Sequence, residues 1–180
     1  RQPYRTDLVV EARTLSPAET FQVSLRILSF DIENLRNNEI ICIGLVREYE
    51  GKTVEEILSG GEKQILEKFR KIIIDEDVDV LSGYNICNYD IPLIVGRSLH
   101  HGVSTAWAIN GRDVLIRRRG EQRQPEKSQT SDPNAAKEQT VKKYVDKGTN
   151  TTVEIPGRLV VDSWYFARKE KRPKRETLGA

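Results

Sequence analysis

Closely spaced carboxylates are the first feature of the sequence with the makings of a chemical site. Asp31 and Glu33 lie two residues apart in the apolar segment 30–33. Residues i and i+2 of a β-strand project from the same face, so the two carboxylates are expected side by side. No Lys or Arg adjoins them in sequence, and a divalent cation is therefore one interpretation. An exposed acidic pair at a strand end is the alternative.

A second polar cluster follows about sixty residues later, in the segment 83–90, Gly-Tyr-Asn-Ile-Cys-Asn-Tyr-Asp. Asp90 stands just before Ile91-Pro92, where an Asp is also a frequent helix N-cap, and Asn85 and Asn88 also suit a turn. Together with the first pair, Asp90 supplies a third oxygen ligand. Oxygen-only ligands favour Mg²⁺ or Mn²⁺.

The elements that must position these residues are readable from hydrophobic patterning. Apolar residues predict core strands over 23–32 and 39–46, and the short turn-rich link 34–38 predicts that they pair antiparallel. Apolar residues at helical spacing predict a helix that opens at Gly60-Gly61 and runs to about Asp75, covering the sheet.

The rest of the chain continues the strand and helix alternation. Residues 78–83 predict a short strand, and 91–100 predict a helix stopped by Gly102. Residues 113–118 and 153–161 predict strands on either side of a polar excursion, and a further helix begins at 163. The fold class expected from these elements is α/β.

The excursion over 120–140 contains two prolines and no large apolar residue. Such a composition predicts a mobile loop, and strands on both sides favour the tip of an extended β-arm over an interdomain linker. Residues 1–22 are expected to form an N-terminal extension or to belong to a preceding domain. The main domain is expected over 23–180, with 120–150 as the arm's mobile tip.

Composition excludes several function classes. The 180 residues are 37% hydrophobic and 31% charged, which is typical of a globular domain, and no stretch reaches the length of an apolar membrane span. Cys42 and Cys87 give no disulfide framework and no zinc spacing, and the two histidines are adjacent. A soluble protein of a reducing, intracellular compartment is expected. Because the chain begins with Arg1 and has no Met, we expect a segment of a longer protein.

Charge is distributed unevenly along the chain. Residues 1–111 carry 12 Lys and Arg against 17 Asp and Glu, whereas 112–180 carry 17 against 10. Basic clusters such as Arg117-Arg118-Arg119 and 169–175 are of the kind that contact nucleic-acid phosphates. A solvated basic surface is the alternative interpretation.

The two acidic motifs resemble those of a known family. Residues 25–33, ending in Phe-Asp-Ile-Glu, resemble the first exonuclease motif of family B DNA polymerases, and 83–90 resemble the second. Residues 75–81, 91–94 and 157–162 resemble the stretches that flank the second motif and follow the family's β-hairpin. The order and spacing are more specific than either motif alone.

The resemblance covers roughly residues 25–178 and implies a ribonuclease H-like mixed sheet flanked by helices, with an extended β-hairpin arm. It implies a proofreading 3′ to 5′ exonuclease acting by two-metal hydrolysis, with Mg²⁺ or Mn²⁺ ions about 3.5 to 4 Å apart. Asp31 is implied to bridge the two ions. Glu33 is implied to bind one ion and orient the attacking water, and Asp90 to hold the second ion.

The resemblance also implies the residues and partners that handle substrate. Asn85 is implied as a substrate contact or a support for the ligands, and Tyr89, where the family more often has Phe, as a residue beside the site. Tyr84 is expected to stack an unpaired base; Trp107 is an alternative stacking residue, with core packing as its simpler role. Arg117, Arg118 and Arg119, with 142–143, are expected to contact phosphates. The implied partners are a single-stranded or frayed DNA 3′ end and the remainder of a DNA polymerase chain, which would be DNA-associated in the cytoplasm, nucleoid or nucleus.

One departure from the family pattern leaves the activity of this chain open. The third family motif, Tyr-x-x-x-Asp, is absent, and the chain is expected to stop before it. Asp162 is a conceivable substitute ligand on a different element. The sequence is compatible with two functions: an exonuclease domain of an active polymerase, or a non-catalytic DNA-binding or scaffold module of the same fold. The sequence leaves open whether this chain alone is an enzyme.

Overall fold

The computed structural model describes residues 11–14, 16–17, 23–118 and 151–170. These residues form an α/β domain built on a five-stranded mixed sheet. The elements, in chain order, are β1 (Ile27–Asn34), β2 (Ile40–Tyr49), β3 (Lys52–Ser59), α1 (Glu62–Asp75), β4 (Val80–Gly83), α2 (Asp90–His101), β5 (Leu115–Arg118), β6 (Thr151–Glu154), β7 (Leu159–Asp162) and α3 (Ser163–Glu170).

The sheet has the strand order β3-β2-β1-β4-β7. β1, β2 and β3 form an antiparallel meander, while β4 and β7 run parallel to β1. The parallel strands β1, β4 and β7 therefore end at the same edge of the sheet, where ligands bind in open α/β sheets. This mixed sheet flanked by helices confirms the predicted fold class.

One face of the sheet is covered by helices. Leu28, Phe30 and Ile32 alternate along β1 and are buried, as expected for one face of a strand. The Phe30 ring packs edge-to-face on Phe69 of α1 with centroids 5.0 Å apart, and Phe69 packs on Trp107 at 5.5 Å. Trp107 is 1% exposed, so its core role is the one that the structure supports.

Two predicted strand boundaries are wrong. β1 begins at Ile27, because residues 23–26 are mostly exposed and lie outside the register with β2. The predicted strand 153–161 is two strands in two sheets, separated by a turn at Pro156 and Gly157. Gly157 has a φ of 87°, a conformation that reverses the chain and that glycine adopts without strain.

β3 is a strand that the sequence pattern did not predict. This strand lies at the sheet edge, and in it Leu58 alone is buried. A strand with one buried side chain carries little of the alternating hydrophobic pattern from which strands are predicted, and its charged residues are typical of protected edges.

β5 and β6 form a separate two-stranded antiparallel sheet, with Ile116 opposite Val153. These strands are where the predicted β-arm begins and ends. The predicted tip over 120–150 lies outside the described residues, as does most of the predicted extension 1–22. Among the described residues, no helix is long and apolar enough to cross a membrane.

Candidate functional site

The sequence-predicted acidic residues lie at the edge where β1 extends beyond β4. The pairing of β1 with β4 stops at Ser29 and Ser82, and β4 ends at Gly83. A side chain at Gly83 would come within 2.5 Å of Ile86 Cγ2 and 2.6 Å of the Phe30 carbonyl oxygen. Glycine is thus required for the loop 84–89 to fold closely against β1.

Asp31 and Glu33 project from the face of β1 opposite the core. Both residues are exposed, whereas Ile32 between them is 7% exposed. Their cross-strand neighbours in β2 are Gly44 and Cys42, respectively. The predicted placement of both carboxylates on one face of a strand end is confirmed.

Asp90 is the first residue of α2 and is 3% exposed. Its carboxylate accepts a hydrogen bond from the backbone N–H of Ile32, between the two β1 acids. The alternative N-cap role is wrong, because Tyr89 occupies the N-cap position and makes no side-chain capping bond. The structure thus brings α2 and the end of β1 together through Asp90.

The environment of Asp90 opposes its ionisation. Burial, followed by the negative charge of Asp31, raises the pKa of Asp90 to about 7, and Asp162 contributes in the same direction; the backbone bonds from Asp90 and Ile32 oppose the rise. A carboxyl group beside another carboxylate and away from water is stabilised as an anion if a cation binds nearby.

The donor chemistry of Asp31, Glu33 and Asp90 fits a hard divalent cation, since all three offer carboxylate oxygens. The described residues contain no group of three or more His, Cys, Asp or Glu side chains arranged to hold a metal ion. The raised pKa of Asp90 beside Asp31 is the observation that fits a cation at this edge.

The loop 84–89 is held by its asparagines. Asn85 has a φ of 61°, a left-handed conformation that Asn tolerates better than most residues. Asn88 Nδ2 donates to Asn85 Oδ1 at 2.9 Å, and the Thr151 N–H donates to Asn88 Oδ1 at 3.1 Å. Asn88 therefore connects the loop to the base of the β-arm, and both asparagines serve the turn that the sequence allowed.

Asp162, the last residue of β7, holds the loop 84–89 through its carboxylate. Its Oδ1 accepts the N–H groups of Asn85 at 2.8 Å and Trp164 at 3.0 Å, and its Oδ2 accepts that of Cys87 at 2.9 Å. The carboxylate is buried and bonded to three amides, which is the geometry of a loop clamp and helix cap. From the sequence, Asp162 was predicted only as a substitute metal ligand. Its position just before α3 is the sequence feature that could have indicated a helix-capping role.

Cys87 is inert in this setting. The thiol is buried, and burial together with the charge and hydrogen bond of Asp162 raises the pKa of Cys87 to about 12. At neutral pH it remains a protonated thiol, and it packs in the core as a small apolar residue.

The two tyrosines of the loop have different surroundings. Tyr89 Oη donates a hydrogen bond of 2.9 Å to Asn34 Oδ1, so the hydroxyl that distinguishes it from the family's Phe ties the loop to the last residue of β1. No local sequence pattern indicates this partner. Tyr84 is partly exposed at the start of the loop.

The basic residues of the arm are described only in part. Arg117 lies on β5, is exposed, and forms an ion pair of 3.0 Å with Glu154 of β6. For Arg118 the backbone alone is described, and Arg119 and residues 142–143 lie outside the described residues. Since β6 also begins at Thr151, which bonds to Asn88, the base of the arm adjoins the loop 84–89.

A cleft of about 580 Å³ opens at the opposite edge of the sheet. It lies between the start of β1, the β2–β3 turn and the end of α1. None of the sequence-predicted site residues lines it. The acidic edge is therefore separate from this cleft.

Known proteins match this chain over most of the elements described above. The family model described as DNA polymerase family B, exonuclease domain, matches residues 45–180. This chain belongs to that family. The matched range includes Asp90 and Asp162, and Asp31 and Glu33 precede it on β1.

Individual relatives agree with the family assignment. The DNA polymerase of Pyrococcus glycovorans is 27% identical over 172 residues, which cover 87% of this chain and 18% of that protein. The DNA polymerase delta catalytic subunit of Plasmodium falciparum is 32% identical over 102 residues, 41% of this chain and 9% of that protein. The chain thus spans less than a fifth of the length of these relatives.

A solved structure has the same fold. The family B DNA polymerase from the hyperthermophilic archaeon Pyrobaculum calidifontis superposes with a TM-score of 0.55 at 20% identity, covering 85% of this chain and 17% of that one. At this identity the likeness establishes the fold of the exonuclease domain.

Proposed function

We propose that this exonuclease domain hydrolyses DNA from a 3′ end with the help of divalent metal ions, in a proofreading role within a DNA polymerase. The observation that carries the proposal is the placement of Asp90 against β1. Its buried carboxylate bonds to the amide of Ile32, which lies between Asp31 and Glu33, and the negative charge of Asp31 raises the pKa of Asp90. Asp90 thus lies close to Asp31, about sixty residues away in sequence, and neighbouring carboxylates are the groups that metal-assisted phosphodiester hydrolysis uses.

The reaction is a hydrolysis whose atoms balance without a redox partner. A water oxygen forms a bond to phosphorus, and the bond between phosphorus and the 3′ oxygen of the preceding nucleotide breaks. The leaving oxygen takes up a proton and becomes the new 3′ hydroxyl, and a nucleoside 5′-monophosphate is released. Glu33, exposed beside Asp31, is the group placed to orient the water and accept its proton.

Asp31, Glu33 and Asp90 would hold Mg²⁺ or Mn²⁺. Bound there, such ions would polarise the phosphate and stabilise the attacking and leaving oxygens. The chain's own contribution is to set the three carboxylates at fixed positions: β1 supplies two of them, and the Asp162 clamp together with the Tyr89–Asn34 hydrogen bond holds the loop that leads to the third.

Contacts to DNA are assigned to the loop and the arm. Tyr84, Asn85 and Tyr89 lie on the loop beside the acids, and Tyr84 is the partly exposed ring available to stack an unpaired base. The arm residues Arg117–Arg119 would contact backbone phosphates. Replacing these arginines with Ser is expected to lower the slope of log affinity against log salt for single-stranded DNA; an unchanged slope would remove the arm from the binding surface.

The experiment that tests the function is digestion of a 5′-labelled single-stranded oligonucleotide with Mg²⁺ or Mn²⁺. A ladder of products shortened from the 3′ end is expected, and it should disappear in Asp31→Ala. Glu55→Gln is the matched control, because Glu55 is an exposed acid on β3 and its loss should leave the ladder intact. A ladder that survives Asp31→Ala would reject the assignment of the site.

A specific observation favours a second function, that of a non-catalytic DNA-binding module. Among the described residues, no group of three or more His, Cys, Asp or Glu side chains is arranged to hold a metal ion. The Asp162 carboxylate already accepts hydrogen bonds from three backbone amides. This alternative predicts that wild-type protein binds single-stranded DNA but produces no ladder with either metal, whereas the primary proposal predicts both binding and digestion.

A further inference from the structure

The strand β6 of the β-arm is buried although it lies in a sheet of only two strands. Among the described residues, β6 pairs with β5 and with no other named strand. A two-stranded ribbon is marginally stable by itself in water, so its position depends on what packs against it. Thr151 and Val153 of β6 are 2% and 8% exposed. Another part of the chain therefore covers this strand.

The loop 84–89 provides that cover. The backbone N–H of Thr151 donates to Asn88 Oδ1 at 3.1 Å, and the backbone of Val153 hydrogen-bonds the thiol of Cys87. Alternate residues of a strand direct their backbone groups to the same edge, so these two bonds attach one edge of β6 to the loop. They also satisfy backbone donors that burial removes from water.

Asn88 is the residue at which the loop, the arm and α3 meet. Its Nδ2 donates to Asn85 Oδ1 at 2.9 Å, and its side chain also hydrogen-bonds the hydroxyl of Tyr165 on α3. Tyr165 Oη in turn donates to the carbonyl oxygen of Thr151 at 3.2 Å. Asn88, Thr151 and Tyr165 thus form a closed set of hydrogen bonds, which we call the Asn88 junction.

The Asn88 junction lies between the acidic edge and the exposed cation of the arm. Asp90 follows Asn88 by two residues and begins α2. On the other side, Arg117 of β5 pairs with Thr152, the residue next to Thr151, and its side chain is 65% exposed. A displacement at Asn88 would therefore change the position of the arm relative to Asp90.

We infer that Asn88 is a positioning residue that holds the β-arm in the one direction in which a single strand contacts Arg117 and the acidic edge together. The inference rests on the proposed function and adds to it a dependence on strand length. A short substrate occupies the acidic edge alone, whereas a longer strand also reaches β5. Two linked contacts strengthen each other only where the geometry permits both at once, and the Asn88 junction fixes that geometry.

Hydrolysis of two strand lengths separates the arm from the acids. The substrates are a thymidine dinucleotide and a thymidine oligonucleotide of about 20 residues, long enough to track a basic surface. In the full natural chain with Mg²⁺, Tyr165→Phe should lower the ratio of kcat/KM for the long strand to that for the dinucleotide about fivefold, the effect of one hydrogen bond. The loss should lie in KM for the long strand.

The matched control is Tyr49→Phe. The Tyr49 ring stacks with the Arg26 guanidinium at the far end of β2, a contact that needs no hydroxyl, so the ratio should not change. Asn88→Ala should lower the ratio at least as much as Tyr165→Phe. It should also slow hydrolysis of the dinucleotide, because the loop before Asp90 loses its bond to Asn85.

Binding of single-stranded DNA in EDTA gives a readout that does not require hydrolysis. With a fluorescein-labelled long strand, Arg117→Ser should lower the slope of log affinity against log salt in the wild-type background. In the Asn88→Ala background the same substitution should have little further effect, because the arm no longer lies along the strand. Such non-additivity is not expected if Asn88 only stabilises the fold. Tyr165→Phe supplies the same comparison if Asn88→Ala does not fold.

Three outcomes overturn the inference. Equal losses on both strand lengths in Tyr165→Phe would mean that the Asn88 junction serves only the loop of Asp90. An unchanged ratio, or additive effects of Arg117→Ser and Asn88→Ala on the salt slope, would mean that the arm binds DNA without the junction. A wild type that binds the long strand but digests neither substrate would contradict the proposed function instead, and the binding comparison would then decide the inference by itself.

Discussion

Glu62 and Asp90 are two buried carboxylates at helix starts of this domain, and the charged side chains around them have opposite signs. Each is the first residue of a helix, and each accepts a backbone N–H from a strand, Glu62 from Ile40 and Asp90 from Ile32. Glu62 is 8% exposed and Asp90 3%. Burial and local geometry are therefore nearly the same.

Their charged neighbours are not the same. Burial acts to raise the pKa of Glu62, but hydrogen bonds from Arg97, Ile40 and His101, with the Arg97 charge, hold the pKa of Glu62 below its usual value. Arg97 Nε lies 2.7 Å and His101 Nε2 2.5 Å from Glu62. Asp90 instead faces the like charges of Asp31 and Asp162.

The difference is the one expected between a structural carboxylate and the metal-binding carboxylate that we propose. Glu62 is neutralised by residues of the chain and joins α1, α2 and β2. Asp90 has no such partner cation among the described residues, and a bound cation would favour its ionised form. Strongly perturbed groups occur at functional sites because the fold accepts a cost there that it avoids elsewhere.

The largest expected effect is on catalysis. Asp90→Asn should lower hydrolysis of single-stranded DNA by about 100- to 1000-fold, because it removes a ligand charge at the reacting phosphate. Glu62→Gln, measured in the same assay per folded molecule at a temperature where both variants are folded, should retain activity within about twofold. Comparable losses in both variants would erase the functional distinction between the two carboxylates.

The second expected effect is on the free energy of unfolding, which the Glu62 substitution should lower more than the Asp90 substitution. Glu62→Gln should lower the free energy of unfolding by about 2 to 4 kcal/mol, since the largely buried Arg97 guanidinium loses its counter-charge. The matched control is Glu67→Gln on the same helix, whose 3.9 Å ion pair with Lys63 is exposed and whose loss should be nearly silent. Urea unfolding measures both, and equal destabilisation of the two variants would contradict a special role for Glu62.

The pH dependence of stability sharpens the comparison. The pKa of Asp90 is raised from 3.8 to about 7, so the folded state binds more protons than the unfolded state between these values. Its contribution is greatest below pH 3.8 and is lost as the pH rises through 7, by up to roughly 1.4 kcal/mol per unit of pKa shift. In EDTA, Asp90→Asn should therefore gain stability over wild type as the pH rises from 4 to 8.

Glu62 should show the reverse dependence. Because its folded pKa lies below the unfolded value of 4.5, its stabilisation is present above pH 4.5 and is lost on acidification. The stability difference between wild type and Glu62→Gln should accordingly shrink below pH 4.5, as measured by chemical denaturation at each pH. Parallel pH profiles for the two variants would reject the opposite-sign interpretation.

The smallest expected effect concerns the loop that carries Asp90. Tyr89→Phe removes the hydrogen bond to Asn34 and should cost about 1 kcal/mol of stability, with a modest loss of hydrolysis as the loop loosens. Tyr84→Phe is the matched control, because no hydrogen bond of the Tyr84 hydroxyl supports the loop among the contacts described above. An unaltered Tm in Tyr89→Phe would show that the Asp162 clamp and the asparagine hydrogen bonds hold the loop without Tyr89.

Much of the fold was predictable because its signals are local. The buried alternation of β1, the helical spacing of α1 and the Gly102 stop of α2 each lie within a short window. All three elements are present, with α1 and α2 close to their predicted bounds and β1 beginning four residues later than predicted. β3 was missed and 153–161 was read as one strand, since an exposed edge strand and a turn between two sheets depend on partners far away in sequence.

The residues of the site likewise fall into those whose placement follows from the sequence and those whose placement depends on the tertiary structure. The sequence by itself determined that Asp31 and Glu33 share a face, because that follows from the period of a strand. The tertiary structure alone decided that Asp90 is buried against the Ile32 amide and that Asp162 clamps the loop 84–89. Charge neutralisation and amide satisfaction are properties of neighbours in three dimensions, and no local pattern encodes them.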